Sequence, residues 1–457
     1  MIHLAGVDGS GKTTIAKLLG NGTADRYPPL DKLVDSVDSY NGIDITDSVF
    51  VLTADHETIK ERIKIRTDKE IDIFETDRSL YYFDSSYREL AVYYDLPLID
   101  TTNKTPEEVA DIIKNYSKPN KVPFSSLKPS DLENFSMITE GESKKVYVDP
   151  NDAKYCYIVL KDTIYSHSIQ STGEIADLGK LRGAGSRYFL EMMRRDGINH
   201  AYIAINDHGV IYSKRMYNIN PLEIVVKEYC EGTDKHSYYK YREMFTDADG
   251  RYNNGPYIRF DWRNPNHLNN NNIDVRESMK DYYEIEREMG KQEFMKRFLK
   301  NPMGDKTISE MLVKNTVFDD IETVKEHIMK LYHTIRFHLT NVGITIKDVC
   351  FMISHEDDGK YYFWSEINQD CMRLVGKDHD KFDKDLWRAG GSSREEKLVA
   401  KWSVFNSIVG QYFTNNPYNV ENYFEYDYYT SMCNVNITHK TNHADIYMKI
   451  LSSFCRP

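Results

Sequence analysis

Short apolar runs alternate with amphipathic stretches through the first hundred or so residues. Residues 2–5 are apolar and lead into glycines, after which 12–19 carry apolar positions at helical spacing. Residues 47–54 (DSVFVLTA) read as a second strand and 57–66 as an exposed helix. Residues 80–94 read as a Tyr-rich helix and 96–100 (LPLID) as a third strand. At 105–116 the opening Thr105-Pro106-Glu107-Glu108 combines a capping threonine, a first-turn proline and early acids, which predicts a helix start. Strands alternating with helices predict an α/β unit with a parallel sheet.

The pattern changes after residues 117–130 (SKPNKVPFSSLKPS), which hold three prolines, lack periodicity and read as a linker. Beyond it, 144–147, 155–160, 163–170, 201–205 and 210–215 read as short antiparallel strands, with a helix over 186–195. Residues 264–272 (NPNHLNNNN) are a polar loop and 319–339 an amphipathic helix. Strands at 344–354 and 360–367 pair across the turn 355–359. This predicts an α+β second domain. The expected organisation is a P-loop domain at 1–117, a linker at 118–135, the α+β domain at 136–400 and an extension at 401–457 packed on it. The tail is Tyr-rich over 418–429, and those rings are expected to bury against the second domain rather than stack on bases.

A chain of 457 residues is long enough for two or three cores. A net charge of −12 argues against a surface that coats nucleic acid, although the arginines of 182–187 leave a local basic groove open. No run approaches the length of a membrane-spanning helix. The six cysteines are scattered without CxxC spacing, which predicts reduced thiols and a cytoplasmic location, the host cytoplasm if the source is viral. The start runs directly into the glycine motif, so no cleaved leader is expected. Fourteen histidines show no ligand spacing. An oligomer is left open.

Gly6-Val7-Asp8-Gly9-Ser10-Gly11-Lys12-Thr13 matches the phosphate-binding P-loop. Glycines let the backbone curl so that N–H groups face phosphate, Lys12 would reach the β- and γ-phosphates, and Thr13 would ligate magnesium. With Thr14 the motif is similar to the thymidylate kinase family. The similarity continues in 49–55 (VFVLTAD), Glu61-Arg62, Lys64-Ile65-Arg66, Leu98-Ile99-Asp100 and the helix from Thr105. The resemblance implies ATP or GTP with Mg2+ in the loop and lid-like roles for Arg62, Lys64 and Arg66. The segment between the first helix and the next long strand, about 20–47, is too short for that family's acceptor pocket. Asp25-Arg26-Tyr27 lies too near the helix to align with its Asp-Arg-Tyr segment and reads as a coincidental loop.

From 140 to about 391 the chain resembles SAICAR synthetase (phosphoribosylaminoimidazole-succinocarboxamide synthase). The residues that carry this are 141–147 (GESKKVY), Lys161-Asp162-Thr163, 221–227 (PLEIVVK) with Gly232-Thr233, Glu366, and Asp370-Cys371-Met372-Arg373. The resemblance implies ATP-driven activation of a nucleotide's carboxylate and amide formation with an amino acid such as aspartate. By it, Lys144, Lys145 and Lys214 would contact ATP; Asp162, Thr163, Lys227, Thr233, Asp370 and Arg373 would hold the acceptor; and Glu366 would face the metal. Cys350 and Cys371 would lie near the cleft. Two carboxylates that the family presents to magnesium fall at Met352 and Ser365, and a third falls within 264–272; Asp348 and Asp274 are candidates to compensate. The leading expectation is an ATP-dependent ligase or phosphotransferase on a nucleotide, in viral or accessory nucleotide modification. A P-loop nucleotide or DNA-base kinase and a non-catalytic nucleotide sensor are the alternatives.

Overall fold

The computed structural model describes residues 1–34, 45, 48–66, 73–118, 122–166, 169, 171–219, 222–231, 246–252, 255–262, 307–308 and 320–419. Its first unit comprises β1 (Ile2–Ala5), α1 (Lys12–Leu19), β2 (Thr23–Ala24), α2 (Pro28–Asp31), β3 (Ser48–Thr53), α3 (His56–Lys64), α4 (Asp77–Tyr93), β4 (Leu98–Asp100) and α5 (Pro106–Lys114). The sheet is parallel throughout, in the order β2-β1-β3-β4. The predicted cap of α5 is present: Thr105 Oγ1 accepts from Glu108 N at 3.2 Å and Glu108 Oε2 accepts from Thr105 N at 2.7 Å.

The second unit contains β5 (Met137–Glu140), β6 (Lys144–Val148), β7 (Tyr155–Leu160), β8 (Thr163–Ser166), β9 (Ser171–Glu174), α6 (Leu178–Arg195), β10 (Tyr202–Ile205) and β11 (Val210–Lys214). It continues with β12 (Leu222–Lys227), β13 (Tyr257–Trp262), β14 (Thr307–Ile308), α7 (Ile321–Asn341), β15 (Thr345–His355), β16 (Tyr361–Trp364), β17 (Met372–Val375), α8 (Asp385–Arg388) and α9 (Arg394–Asn415). One antiparallel sheet runs β10-β11-β7-β6-β5; a second runs β14-β13-β12-β15-β16 with β17 beside β15. Phe189 of α6, Leu331 of α7, Phe351 of β15 and Phe405 of α9 are fully buried in one apolar core that also takes residues from both sheets.

Helix α6 starts eight residues before the sequence pattern places it. Gly179, Gly183 and Gly185 lie in its first half, although each costs a helix about 1 kcal/mol relative to alanine. Here they permit close approach: a Cβ on Gly179 would lie 2.2 Å from the Leu160 carbonyl oxygen, and one on Gly185 2.0 Å from Gln369 Oε1. Packing outweighs propensity, and it brings α6 against the strand ends that carry polar residues.

The proline-rich segment before the second unit is not a free tether. Phe124, Leu127 and Leu132 are buried with Tyr147, Tyr157 and Val159. Asn206 Nδ2 donates to the carbonyls of Phe124 (2.7 Å) and Leu127 (2.8 Å). The units also meet through α4 and α6. Arg194 pairs with Glu89 and Arg78 with Asp196, all of them buried or nearly so. Tyr82 Oη donates to Glu191 Oε1 at 3.2 Å.

Two expectations change. Tyr418 enters the core of the first unit rather than packing on the second, stacked on Tyr82; the rest of the aromatic tail, from 420, lies outside the described residues. The arginines of 182–187 form no basic groove: Arg182 is buried and bound to Asp370, and Arg187 is tied to Asp207 at 2.9 Å.

Candidate active site

Sheet register and one helix end assemble a polar cluster in the second unit. Strand β6 opens at Lys144, opposite Leu160 at the end of β7. Lys144 Nζ donates to Ser365 Oγ at 2.6 Å, and Ser143 Oγ donates to Glu366 Oε2 at 2.5 Å. Glu366 Oε1 is buried and makes no hydrogen bond. Burial pushes the Glu366 carboxyl upward, but Lys144 and Arg182 outweigh it and hold the group ionised below its usual range. Ser365 has a left-handed backbone (φ +70°), a cost that the Lys144 contact and the Tyr202 hydroxyl bond to its carbonyl help to sustain.

Asp370 lies within the same ion network. Arg182 grips its Oδ2 through Nη2 at 2.6 Å and Nε at 3.1 Å, and Lys384 pairs with Oδ1 at 2.6 Å. The remaining Arg182 nitrogen donates to the carbonyls of Lys161 (2.7 Å) and Thr163 (2.8 Å). Burial raises Asp370, yet Lys384 and Arg182 bring it down to about 2. Burial and the neighbouring Glu366 push the Cys371 thiol up to about 12, so it is an inert thiol at neutral pH.

A second row crosses three adjacent strands. Lys227 of β12 faces Asp348 of β15, which faces Arg373 of β17. Lys227 Nζ donates to Asp348 Oδ2 at 2.8 Å and to the Glu231 carbonyl at 2.8 Å; Arg373 binds the same carboxylate oxygen. Burial would raise Asp348, but Lys227 and Arg373 hold it at about 2. One internal carboxylate therefore offsets part of the positive charge expected on an acceptor.

The other residues singled out from the sequence are dispersed. Lys145, next along β6, points to the sheet face opposite Lys144, because strand side chains alternate. Lys214 sits opposite Tyr155, five positions along β7 from the partner of Lys144, roughly 17 Å away. It pairs with Asp358 at 3.0 Å and lies 3.9 Å from the Tyr362 ring centroid. Asp162 accepts from Gly179 N at 2.8 Å and so caps α6, while Thr163 Oγ1 donates to the Glu142 carbonyl. Thr233, Asp274 and 264–272 lie outside the described residues. Asp370 is held by Lys384, which the sequence reading did not name, and by Arg182, which it placed only in an open basic groove. Burial and the contact with Asp370, 188 positions away in sequence, distinguish that arginine from a surface one.

In the first unit, Gly6, Gly9 and Gly11 all have positive φ (+133°, +78° and +97°). A side chain at Gly6 would strike the Leu52 carbonyl, with its Cβ at 2.1 Å. Lys12 Nζ donates to the carbonyls of Gly6 (2.5 Å) and Val7 (2.8 Å) and lies 3.7 Å from Asp8. Burial lowers its pKa. Thr14 is exposed in the first turn of α1. Arg62 Nη2 donates to the Thr101 carbonyl at 2.8 Å, and Nη1 to Thr101 Oγ1 at 2.8 Å and the Gly9 carbonyl at 3.4 Å, so this residue braces the loop. Arg66 pairs with Glu75 at 3.2 Å, and Lys64 is exposed at the end of α3.

Among the described residues no group of three or more His, Cys, Asp or Glu could hold a metal. Glu366 Oε1 nevertheless fits a magnesium ion that takes one protein carboxylate and completes its shell with phosphate and water oxygens. Met352 offers no such oxygen.

The chain belongs to the SAICAR synthetase family, whose family model matches residues 137–403. Members of that family are ATP-dependent ligases that use ATP and Mg2+. The chain is similar to the bifunctional cordycepin biosynthesis cluster protein 3 of Cordyceps militaris, at 31% identity over 80% of this chain. It spans 52% of that protein's length. Eighty per cent is more than residues 137–457 contain, so this alignment runs into the first 136 residues. Similarity also extends to the phosphoribosylaminoimidazole-succinocarboxamide synthase of Finegoldia magna, at 21% identity over 54% of this chain and 90% of that protein. Among solved structures, a SAICAR synthetase in complex with ADP aligns at 17% identity and TM-score 0.44, covering 62% of this chain and 99% of its own. The Ehrlichia chaffeensis enzyme aligns at 17% identity and TM-score 0.45, covering 60% and 98% respectively. No helix among the described residues is long and apolar enough to cross a membrane.

Proposed function

We propose that the chain is an ATP-dependent carbon–nitrogen ligase that joins an amino acid such as aspartate to a carboxylate carried by a nucleotide. The observation that carries this reading is the convergence of Lys144, Ser143, Glu366, Arg182, Asp370 and Lys384, within a chain whose family performs this chemistry. An acceptor carboxylate oxygen attacks the γ-phosphorus of ATP, the bond to the β-phosphate oxygen breaks, and ADP leaves. The amino-acid nitrogen then attacks the acyl carbon, phosphate departs and the amine gives up a proton. Lys144 supplies positive charge where phosphate charge moves, and Arg182 with Lys384 keeps Asp370 ionised to accept a hydrogen bond from substrate. Glu366 Oε1 would hold the magnesium that accompanies ATP, and that ion would supply positive charge against the phosphates' mutual repulsion.

The acceptor belongs to accessory or viral nucleotide modification rather than to housekeeping synthesis. By the resemblance Met352 and Ser365 stand where the family offers carboxylates, and Asp348 pairs with both Lys227 and Arg373, which supports an altered acceptor. The test is ADP release by the purified chain with ATP, Mg2+, aspartate and carboxyaminoimidazole ribotide, followed by other amino acids and nucleotide carboxylates. Release that needs both an amine and a carboxylate, and that Lys144→Ala cuts by about a hundredfold or more, is expected. Absence of ADP with every combination would overturn the ligase reading.

A second reading, phosphoryl transfer by the N-terminal loop, draws on the contact between Thr13 and Asp25. It predicts that turnover disappears with Lys12→Ala and requires a hydroxyl acceptor instead of an amine.

A further inference from the structure

Strand β10 is irregular beside the candidate active site. Tyr202 lies opposite Ser213 of β11 and Ala204 opposite Tyr212, so β10 advances two residues against one of its neighbour. In a regular strand Tyr202 and Ala204 would share a face. Here Tyr202 is buried in the main core with Phe363 and Ile367, whereas Ala204 is buried with Phe124 and Val210. The bulge turns the Tyr202 ring toward β16 and the residues that follow it.

The segment that leads into Tyr202 is docked on that same strand. Ala201 N donates to the Phe363 carbonyl at 2.8 Å, and Phe363 N donates to the Asn199 carbonyl at 3.1 Å. Tyr202 Oη then donates to the carbonyl of Ser365, the residue before Glu366. From the N-terminal unit, Tyr81 Oη donates to the Ile198 carbonyl at 2.9 Å, and its ring meets His200 edge-on with centroids 6.2 Å apart. His200 Nδ1 lies 2.7 Å from the Tyr202 carbonyl; a carbonyl only accepts, so that nitrogen carries the proton. Burial pushes the Tyr202 phenol well above its usual range, which keeps its hydroxyl a donor at neutral pH.

Ser365 needs such a hold. It is buried with φ at +70°, a region that disfavours an L residue by about tenfold in population. Its other partner, Lys144, is the cation that must also meet phosphate, whereas Tyr202 is 3% exposed and out of a ligand's reach. We propose that Tyr202 is a positioning residue for the ligase reaction: its hydroxyl locks Ser365 in the left-handed conformation and so fixes where the Glu366 carboxylate points. The inference rests on the ligase reading for what Glu366 does, while the lock is a property of the fold.

The test combines Tyr202→Phe, which keeps the buried ring, with Ser365→Gly, which adopts positive φ without penalty. ADP release by the full-length protein is followed against Mg2+ concentration, with the amino acid and carboxylate that the parent uses. Tyr202→Phe should lower kcat and raise the half-saturating Mg2+ by about tenfold each, leaving the KM for the amino acid within about twofold of the parent. Loosened packing alone would lower kcat without moving the Mg2+ dependence, and that result overturns the proposal. In the Ser365→Gly background the same substitution should cost less than about threefold, and an equal loss in both backgrounds overturns the lock. A crystal structure of unliganded Tyr202→Phe should show Ser365 outside the left-handed region; a retained φ overturns the lock directly. A parent that releases no ADP overturns the ligase reading instead, and the crystal structure still decides whether Tyr202 holds Ser365.

Discussion

Tyr418, three residues beyond the last helix of the second unit, stacks on Tyr82 of the N-terminal unit with ring centroids 3.7 Å apart and planes 17° apart. Tyr418 is 5% exposed and Tyr82 is 1% exposed, so the chain's far end completes the core of its beginning. Tyr418→Ala should cost about 3 kcal/mol through lost burial and the cavity left behind. Urea denaturation should show the loss, and amide exchange should place it in α4 and the parallel sheet. Equal exchange rates there in variant and parent would contradict this account.

The seam between α4 and α6 should respond asymmetrically to mutation. Arg194 and Glu89 are 4% and 1% exposed, so removing one partner strands the other charge away from water. Arg194→Met alone should destabilise by about 3–5 kcal/mol, whereas Arg194→Met with Glu89→Leu should recover most of that. A double-mutant cycle measured by denaturation checks the coupling. Simple additivity of the two changes would show that the pair is not a coupled unit.

Within the proposed active-site cluster, Glu366 and Asp370 should differ in how far each serves stability. Glu366→Gln keeps an oxygen for the Ser143 hydroxyl, so it should destabilise less than Asp370→Asn while reducing ADP release by about a hundredfold or more. Asp370→Asn leaves buried Arg182 and Lys384 short of their counter-charge and should destabilise by a few kcal/mol as well. Paired melting and turnover measurements on both variants decide this.

Acid pH should act on two groups with opposite signs. Asp348 and Asp370 sit near 2 when folded, below the carboxylate range of an unfolded chain. Between those values the unfolded state binds more protons. Each group's contribution of about 2 kcal/mol is therefore complete above roughly pH 4 and is lost as pH falls toward 2. Asp383 is the reverse case, raised to about 6 by burial and by Asp385. The folded state there binds more protons between about pH 4 and 6, so this group's contribution declines as pH rises through that window. Asp383→Asn should gain on the parent by up to about 3 kcal/mol from pH 4 to 6, read from urea melts. A constant difference across that range would show that Asp383 does not titrate in it.

Much of the fold was legible because its signals are local. The glycine loop, the capped start at Thr105 and the pairing of β15 with β16 depend on neighbouring residues or on a short turn, and each appears close to where the pattern puts it. The start of α6 was hidden because its glycines serve contacts with Leu160 and Gln369, which are distant in sequence. Strand β2 was hidden because two residues, Thr23 and Ala24, carry no periodicity at all.

By itself the sequence determined the order of the elements, the parallel character of the first sheet, the glycine loop and the resemblance that family membership bears out. These follow from periodicity, turn chemistry and short motifs, which act over a few residues. Tertiary structure alone decided which charges face a ligand and which face one another. It set Asp348 between Lys227 and Arg373, turned Lys145 away from Lys144, joined Asp25 to Thr13 and carried Tyr418 into the first core. The reason is physical: strand register and close helix packing fix such partners, and both depend on residues that are far apart in the chain.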